Sequence, residues 1–522
     1  MLAVVASATL HGLEGRVIRV EADVAPGLPG CTMVGLPDTA MTEARERVRG
    51  AIRNAGYTWP ARLITINLAP ADLRKAGASL DLAMAVAILL GSEQGRAGST
   101  HPGLLGELLL GGEVAPVPGI LSMVAALRAG GVGRVVVPAA AVNEARLVEG
   151  IDVVGVATLA EAAYVVQGRR TRRRRVAMPR VTVGPSTLPG TVSAGSRSDP
   201  SVPDLAEVRG QAQARRALEI ALAGGHGLLL SGPPGVGKTL LARTIPSLLP
   251  PLDDAAALAV SVVASAAGEG PIHDLRRRPP FRAPHHSLSY AAMVGGGPNL
   301  SPGEITRAHH GVLFLDELAE FDRDVLESLR QPLEDERVVI ARAGRVTTFP
   351  ARFQLIAAMN PCPCGRAGAT SDGRCGCTDD VIERYQRRVS GPLRDRIDLW
   401  VPMARIPAFE LVGSSAPENS AVVSMRIAAV RAVSVGRNGG RLNGRLRGPA
   451  LRAACPLRSG PRRRLIELSE AEAASGRGTE RLLRVARTIA DLAGDPAVND
   501  DHLDEAAWFR SSFQRRLDAL AS

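Results

Sequence analysis

The sequence predicts an α/β chain of several domains, and three observations lead there. At roughly 100–200 residues per domain, 522 residues make two to four domains, each able to bury its own core. Three apolar runs, near 227–230, 311–315 and 353–359, each stop abruptly at polar residues. Buried parallel strands that deliver side chains to one sheet edge read this way. Charge is also divided by segment. Residues 1–168 hold 13 basic and 15 acidic side chains, 169–200 hold eight arginines against Asp199, and the remainder holds 42 basic and 36 acidic.

Composition excludes several classes. Apolar residues at 45% and charged residues at 22% match globular averages, so wholesale disorder is excluded. No run of about 18 apolar residues exists, so no membrane span is expected. The first residues, Met1 to Gly15, have no basic region before their apolar stretch and read as a first strand, not a signal peptide. Six cysteines without an export signal do not suggest a disulfide scaffold, and a cytoplasmic protein is expected. Arginine use is extreme: Lys75 and Lys238 are the sole lysines among 63 basic residues.

The segment 169–200 opens with Arg169-Arg170-Thr171-Arg172-Arg173-Arg174-Arg175 and continues rich in Pro, Gly, Ser and Thr. It reads as an extended interdomain linker. A solvated hinge and a contact to a phosphate backbone both remain open for it, the latter through counterion release. No aromatic residue lies among these arginines, so base stacking is not supported.

Next comes an apolar strand running into Gly232-Pro233-Pro234-Gly235-Val236-Gly237-Lys238-Thr239, then an amphipathic helix expected over 240–249. That context suits a phosphate-binding loop. The glycines let backbone N–H groups curl round a β-phosphate, and the following helix adds its positive end. Lys238 can reach between β- and γ-phosphates of ATP, and the Thr239 hydroxyl can ligate Mg²⁺. A compact point charge is wanted there, which explains a lysine in a chain that otherwise uses arginine.

The second strand, 311–315, ends in Asp316-Glu317, and the third ends at Asn360. Asp316 would hold magnesium through water, Glu317 would orient or deprotonate the attacking water, and Asn360 would help hold it. Arg394 and Arg396 follow a helical stretch; either suits an arginine finger acting on a neighbour's ATP or a surface ion pair. Cys362-Pro-Cys364 and Cys375-Gly-Cys377 have the ligand count of tetrahedral zinc, although C-x-C is tighter than the usual spacing. Structural Zn²⁺ and four free thiols both fit; catalytic zinc does not, since four thiolates leave no open position.

These residues, with Arg282-Ala-Pro-His-His286, Val294 to Gly297, Pro302-Gly-Glu-Ile305, Leu329-Arg-Gln-Pro-Leu-Glu334, Ala358 to Gly365 and Leu483 to Leu492, resemble the magnesium-chelatase-like AAA+ ATPases. Over essentially the whole chain the pattern is similar to their ComM/YifB branch. That resemblance implies a Lon-protease-like α+β domain over 1–168 and an Arg-rich linker over 169–200. It further implies an AAA+ P-loop core over 201–405 with a cysteine insert at 362–377, and a helical lid over 406–522. It makes 232–239 Walker A, Asp316-Glu317 Walker B and Asn360 sensor 1. Arg396 becomes the preferred finger, and Arg477, just ahead of the Leu482-Leu483 helix, becomes sensor 2, with Arg481 and Arg484 competing. The segment 338–349, with Arg342 and Arg345, resembles a pore hairpin that grips DNA, and 282–304 a second pore-facing insert.

In the N-terminal part, Ser79 falls at the serine position of a Lon nucleophile loop, but Leu121 stands where the lysine base would be. Lys75 is not at that position, so a fold without proteolysis is expected. The resemblance therefore implies a hexameric ATP-dependent DNA motor, a helicase or branch-migration factor in natural transformation, with ATP and Mg²⁺ as cofactors. The alternatives are a chelatase-type motor inserting magnesium into a porphyrin and an ATP-dependent Lon-like protease.

Overall fold

The computed structural model describes residues 1–35, 39–71, 77–95, 98, 101–168, 202–297, 300–342, 345–367, 375–407, 417–471 and 474–521. The arginine-rich stretch 169–200 and Lys75 lie outside these residues.

The apolar opening residues form the strand Leu2–His11, which turns at Gly12 and pairs antiparallel with Glu14–Ala25. These two strands are central in a seven-stranded mixed sheet. Leu63–Ala69 and Gly30–Val34 lie on one side, Gly103–Leu104, Arg134–Pro138 and Asp152–Val156 on the other. The helix Asp81–Gly91, buried along its whole length, packs on this sheet, as does Ile120–Ala129.

The three apolar runs become Leu228–Ser231, Val312–Leu315 and Gln354–Met359 in a second, five-stranded sheet. Its order is Phe281–Arg282, Val312–Leu315, Gln354–Met359, Leu228–Ser231, Leu399–Pro402, with every pair parallel. Continuous apolar strands are what a sheet covered on both faces requires. The phosphate-loop strand therefore sits between the strand leading to Asn360 and Leu399–Pro402, and the strand leading to Asp316 is one place further out.

The helix expected over 240–249 is broken. Lys238–Arg243 and Ile245–Leu248 are separate helices that meet at Thr244. Pro246 has no N–H to return to the preceding turn, which ends the first helix.

The C-terminal part is helical: Ser420–Arg437, Gly448–Ala454, Ser459–Ala471, Gly476–Ala493 and Asp500–Ala521. Val423, Ile427, Leu482, Val485 and Ile489 share one core with Leu228, Leu230 and Val401 of the five-stranded sheet, so these helices are built onto the sheet. The acid-free run from Arg426 to Arg464 is not acid-free in space. Arg426 pairs with Glu418 and Glu219, Arg437 with Asp491, Arg445 with Glu336, and Arg464 with Asp504 and Glu467.

One buried network fixes this helical part. Arg487, only 1% exposed, donates to Asp491 at 2.8 and 3.1 Å and to the carbonyls of Asp495 and Pro496. Burial alone would raise the Asp491 carboxyl, but bonds from Arg437 and Asn443 hold it below the ordinary carboxylate range. Arg487→Ala leaves Asp491 paired with Arg437 but takes the donor from the Asp495 and Pro496 carbonyls, so it should cost roughly 1–3 kcal/mol. Scanning calorimetry would read this as a lowered melting transition; an unchanged transition would refute it.

Among the described residues, the seven-stranded sheet and its helices meet the half that carries the five-stranded sheet in two regions. The Gly119 N–H donates to the Ser265 carbonyl at 2.9 Å, and the Ser265 hydroxyl donates to Glu144, whose carboxyl burial pushes up. Leu13 packs against the cluster that contains Phe349, and a methyl at Gly12 would lie 2.5 Å from Thr347 Cγ2. The second contact places the turn of the first hairpin on the hairpin Arg337–Arg342 and Arg345–Pro350.

Candidate nucleotide site

Lys238, Thr239, Asp316, Glu317 and Asn360 all lie at the carboxyl edge of the five-stranded sheet. Gly235 and Gly237 take φ of +79° and +93°, which side chains resist, so the loop curls back toward its own lysine. Lys238 Nζ donates to the carbonyls of Gly232 at 2.6 Å and Pro233 at 2.9 Å, and to Asn360 Oδ1 at 3.1 Å. Burial lowers its ammonium to about 8, against the pull of Asp316 and Glu317. The Thr239 hydroxyl donates to Asp316 Oδ2 at 2.6 Å. The residues expected to serve as Walker A, Walker B and sensor 1 thus meet, Lys238 with Asn360 and Thr239 with Asp316. A hydroxyl and a carboxylate in contact are a donor set that fits Mg²⁺, which Thr239 would hold with Asp316 behind it.

Glu317 is set differently. Its φ of +53° puts it in the left-handed region, and its N–H donates to Asp316 Oδ1 at 3.0 Å. Few non-glycine residues adopt this conformation, and holding it costs on the order of 1–3 kcal/mol. His286 Nδ1 lies 3.0 Å from Glu317 Oε2. The sequence singled out 282–286 only as a motif; the strand order explains the meeting, because Phe281–Arg282 lies beside Val312–Leu315.

The arginines separate by surroundings. Arg396 Nη2 lies 2.6 Å from Glu334 Oε1, and Arg477 Nη1 donates to the same oxygen at 3.1 Å. Arg477 lies in the first turn of the helix Gly476–Ala493, capped by Ser475, and not ahead of that helix as the motif suggested. The competing Arg481 and Arg484 face Asp398, which Arg484 reaches at 3.2 Å. Arg394 stacks over Trp400, 5.3 Å from the ring centroid. Glu334, the group joining Arg396 and Arg477, was visible in the sequence only as the end of a motif. Gln211 had no signal at all: it donates to the carbonyls of Val236 at 3.2 Å and Ala404 at 2.7 Å, tying the phosphate loop to the segment after the last strand.

The four cysteines of 362–377 come together. Sγ distances are 3.3 Å for Cys362–Cys364, 3.7 Å for Cys362–Cys375 and 3.5 Å for Cys364–Cys375. With Cys377 included, all four ligand atoms lie within 4.8 Å of one another. None is bonded to another. Zinc–sulfur bonds of about 2.3 Å give a tetrahedron with edges of about 3.8 Å, so the set fits zinc.

In the N-terminal domain, the buried Ser79 hydroxyl donates to the Ala8 carbonyl at 3.1 Å, and Leu121 is buried. Asp81, two residues on, pairs with Arg47 at 2.9 Å, while burial pushes its carboxyl up to about 6. Among the described residues, no helix is long and apolar enough to cross a membrane.

A parallel sheet in this order, with a phosphate loop, an acidic pair and an asparagine at one edge, defines an AAA+-type domain. Comparison with known families agrees. The model described as Magnesium chelatase, subunit ChlI, matches residues 204–411. Subunit ChlI of Mg-chelatase matches 20–141, and Magnesium chelatase, subunit ChlI C-terminal, matches 417–510. An uncharacterized protein of Mycobacterium tuberculosis is 42% identical over 529 residues, which cover 98% of this chain and 99% of that protein. Uncharacterized protein YifB of Escherichia coli is 41% identical, and Competence protein ComM of Haemophilus influenzae 38%, each over 98% of this chain and 97% of its own length. The chain belongs to the ComM/YifB-type magnesium-chelatase-like proteins, a family that implies ATPase activity with ATP and Mg²⁺.

Proposed function

We propose that this chain is an ATP-driven DNA motor, working as a homohexameric ring in the cytoplasm, which aids recombination of incoming DNA by helicase or branch-migration activity. The observation that carries this reading is the division of the ATP machinery into two groups. Lys238, Thr239, Asp316, Glu317 and Asn360 gather at one sheet edge, while Arg396 and Arg477 both end on Glu334. Two groups of this kind suit a site completed between neighbouring subunits. The name Competence protein ComM, borne by a relative similar over 98% of this chain, supports the DNA half of the reading.

In this mechanism Lys238 leaves the loop carbonyls for the β- and γ-phosphates of ATP. Magnesium on Thr239 and Asp316 would neutralise the charge of the β- and γ-oxygens. Glu317 orients a water molecule and takes its proton as the oxygen attacks the γ-phosphorus and the bond to ADP breaks; the Asn360 amide keeps that water close. Arg396 and Arg477, released from Glu334, stabilise the charge that develops on a neighbour's transferring phosphoryl group. DNA would be gripped by the hairpin 337–350 and the stretch 282–304, with the linker 169–200 adding phosphate contacts. The lid role of the C-terminal helices and a Lon-like, non-proteolytic origin of the N-terminal domain belong to the same proposal.

A magnesium-inserting motor is the second reading, favoured by the three family matches. Proteolysis is disfavoured, because Ser79 has a carbonyl as its partner and Leu121 offers no amine. Forked and four-way DNA should stimulate ATP turnover and be displaced or migrated in an ATP-dependent manner. Both effects should weaken as salt rises, with log affinity falling linearly in log salt concentration. Turnover indifferent to DNA, with no strand displacement at any salt, would sink the motor reading.

A further inference from the structure

The cysteine cluster lies beside the phosphate loop, and short pieces of chain join the two. Asn360, which Lys238 contacts at 3.1 Å, precedes Cys362 by two residues. Cys362 is fully buried, and its carbonyl accepts the Gly365 N–H at 2.9 Å, closing a tight turn. Gly365 takes a φ of +75°, and a methyl there would lie 2.6 Å from Cδ and 2.9 Å from Cγ of Pro234. The turn therefore rests on the phosphate loop with no room for a side chain. Cys362 Sγ also accepts the Ala367 N–H at 3.3 Å, the kind of backbone bond that orients a metal-bound thiolate. On its other side the Pro361 carbonyl accepts from Gln386 at 3.2 Å.

We propose that the four cysteines hold a zinc ion, and that the knuckle so formed braces the phosphate loop through Gly365 and Pro234, so that metal occupancy sets nucleotide affinity. The inference rests on reading 232–239 as the ATP site. Residues 360–367 contain no helix or strand, so regular backbone hydrogen bonding does not fix their shape. Zinc would tie Cys362 and Cys364 to Cys375 and Cys377 and so fix the turn at Gly365; binding it releases the thiol protons. With all four positions filled by sulfur, the ion has no place for substrate, and its effect reaches ATP through Gly365 against Pro234 and through Asn360.

The test measures zinc per chain by elemental mass spectrometry, and the Kd of a fluorescent ADP analogue, on the full-length protein. Wild type should carry one zinc ion per chain. Chelator-stripped protein should bind the analogue roughly 5- to 150-fold more weakly, the usual span of coupling between two sites, and added zinc should restore binding. Cys377→Ser should bind weakly with no rescue by zinc. Gly365→Ala should keep its zinc and still bind weakly, because the added methyl displaces Pro234. Should the cysteine variant fail to fold, the stripped and restored wild type and Gly365→Ala decide the matter. Wild type without zinc, or stripped protein that binds the analogue as wild type does, would overturn the proposal. Because DNA is absent, a failed motor assay leaves this test standing; a wild type that binds no nucleotide would overturn both readings.

Discussion

Glu317→Gln is expected to bind ATP as wild type does and to lose hydrolysis by about 100-fold or more, the usual contribution of a positioned general base. The substitution is nearly isosteric, and the geometry says why it should spare the fold. Glu317 is held by its backbone, with a left-handed φ and an N–H bonded to Asp316, neither of which depends on the carboxylate. His286 can still donate its Nδ1 hydrogen to the glutamine oxygen. What disappears is the capacity to take a proton from water. Phosphate release and retained nucleotide, measured on the same sample, check the expectation. Turnover at the wild-type rate would remove Glu317 from the mechanism. Lost nucleotide binding would mean that the residue supports the loop and not the chemistry.

How much of this site could be read in the sequence depended on distance along the chain. Gly232 to Thr239 is a local pattern, with loop, lysine and following helix contiguous. Asp316 and Asn360 were legible because apolar strands of a parallel sheet must present their ends at one edge. Residues that meet across the sheet gave no such signal. His286 reaches Glu317 because the strand Phe281–Arg282 pairs beside Val312–Leu315, and periodicity does not encode strand order. Glu334 meets Arg477 across 143 residues, and Gln211 meets Ala404 across 193. The arginine run 426–464 is the converse case. Along the chain it holds no acid, yet its partners Glu219, Glu336, Glu418, Asp491 and Asp504 come largely from elsewhere in the fold. The helix break at Thr244 was legible in Pro246, whose missing N–H outweighs the amphipathic pattern round it.

Lys238→Arg is expected to be as damaging as Lys238→Ala, with ATP turnover at background in both. In a chain of 63 basic residues with only two lysines, arginine is the default cation, so this position rejects it for a physical reason. Nζ sits within 3.1 Å of three oxygens, those of Gly232, Pro233 and Asn360, and the side chain is largely buried. A compact ammonium with three rotatable donors satisfies that arrangement; a planar guanidinium is larger, and its five donors are fixed in one plane. Loss of each charged hydrogen bond to phosphate is worth roughly 1.5–3 kcal/mol, or about 10- to 150-fold in affinity. The ammonium makes a second, independent signature. Its value in the free site is about 8, and bound phosphates favour the charged form. Nucleotide binding should therefore take up a proton above pH 8, and wild-type affinity should fall as pH rises through that value. Lys238→Arg stays charged throughout and should lose the dependence together with the affinity. An arginine variant that hydrolyses ATP normally, or a wild-type affinity flat between pH 7 and about 9.5, would show that this lysine does not meet the phosphates.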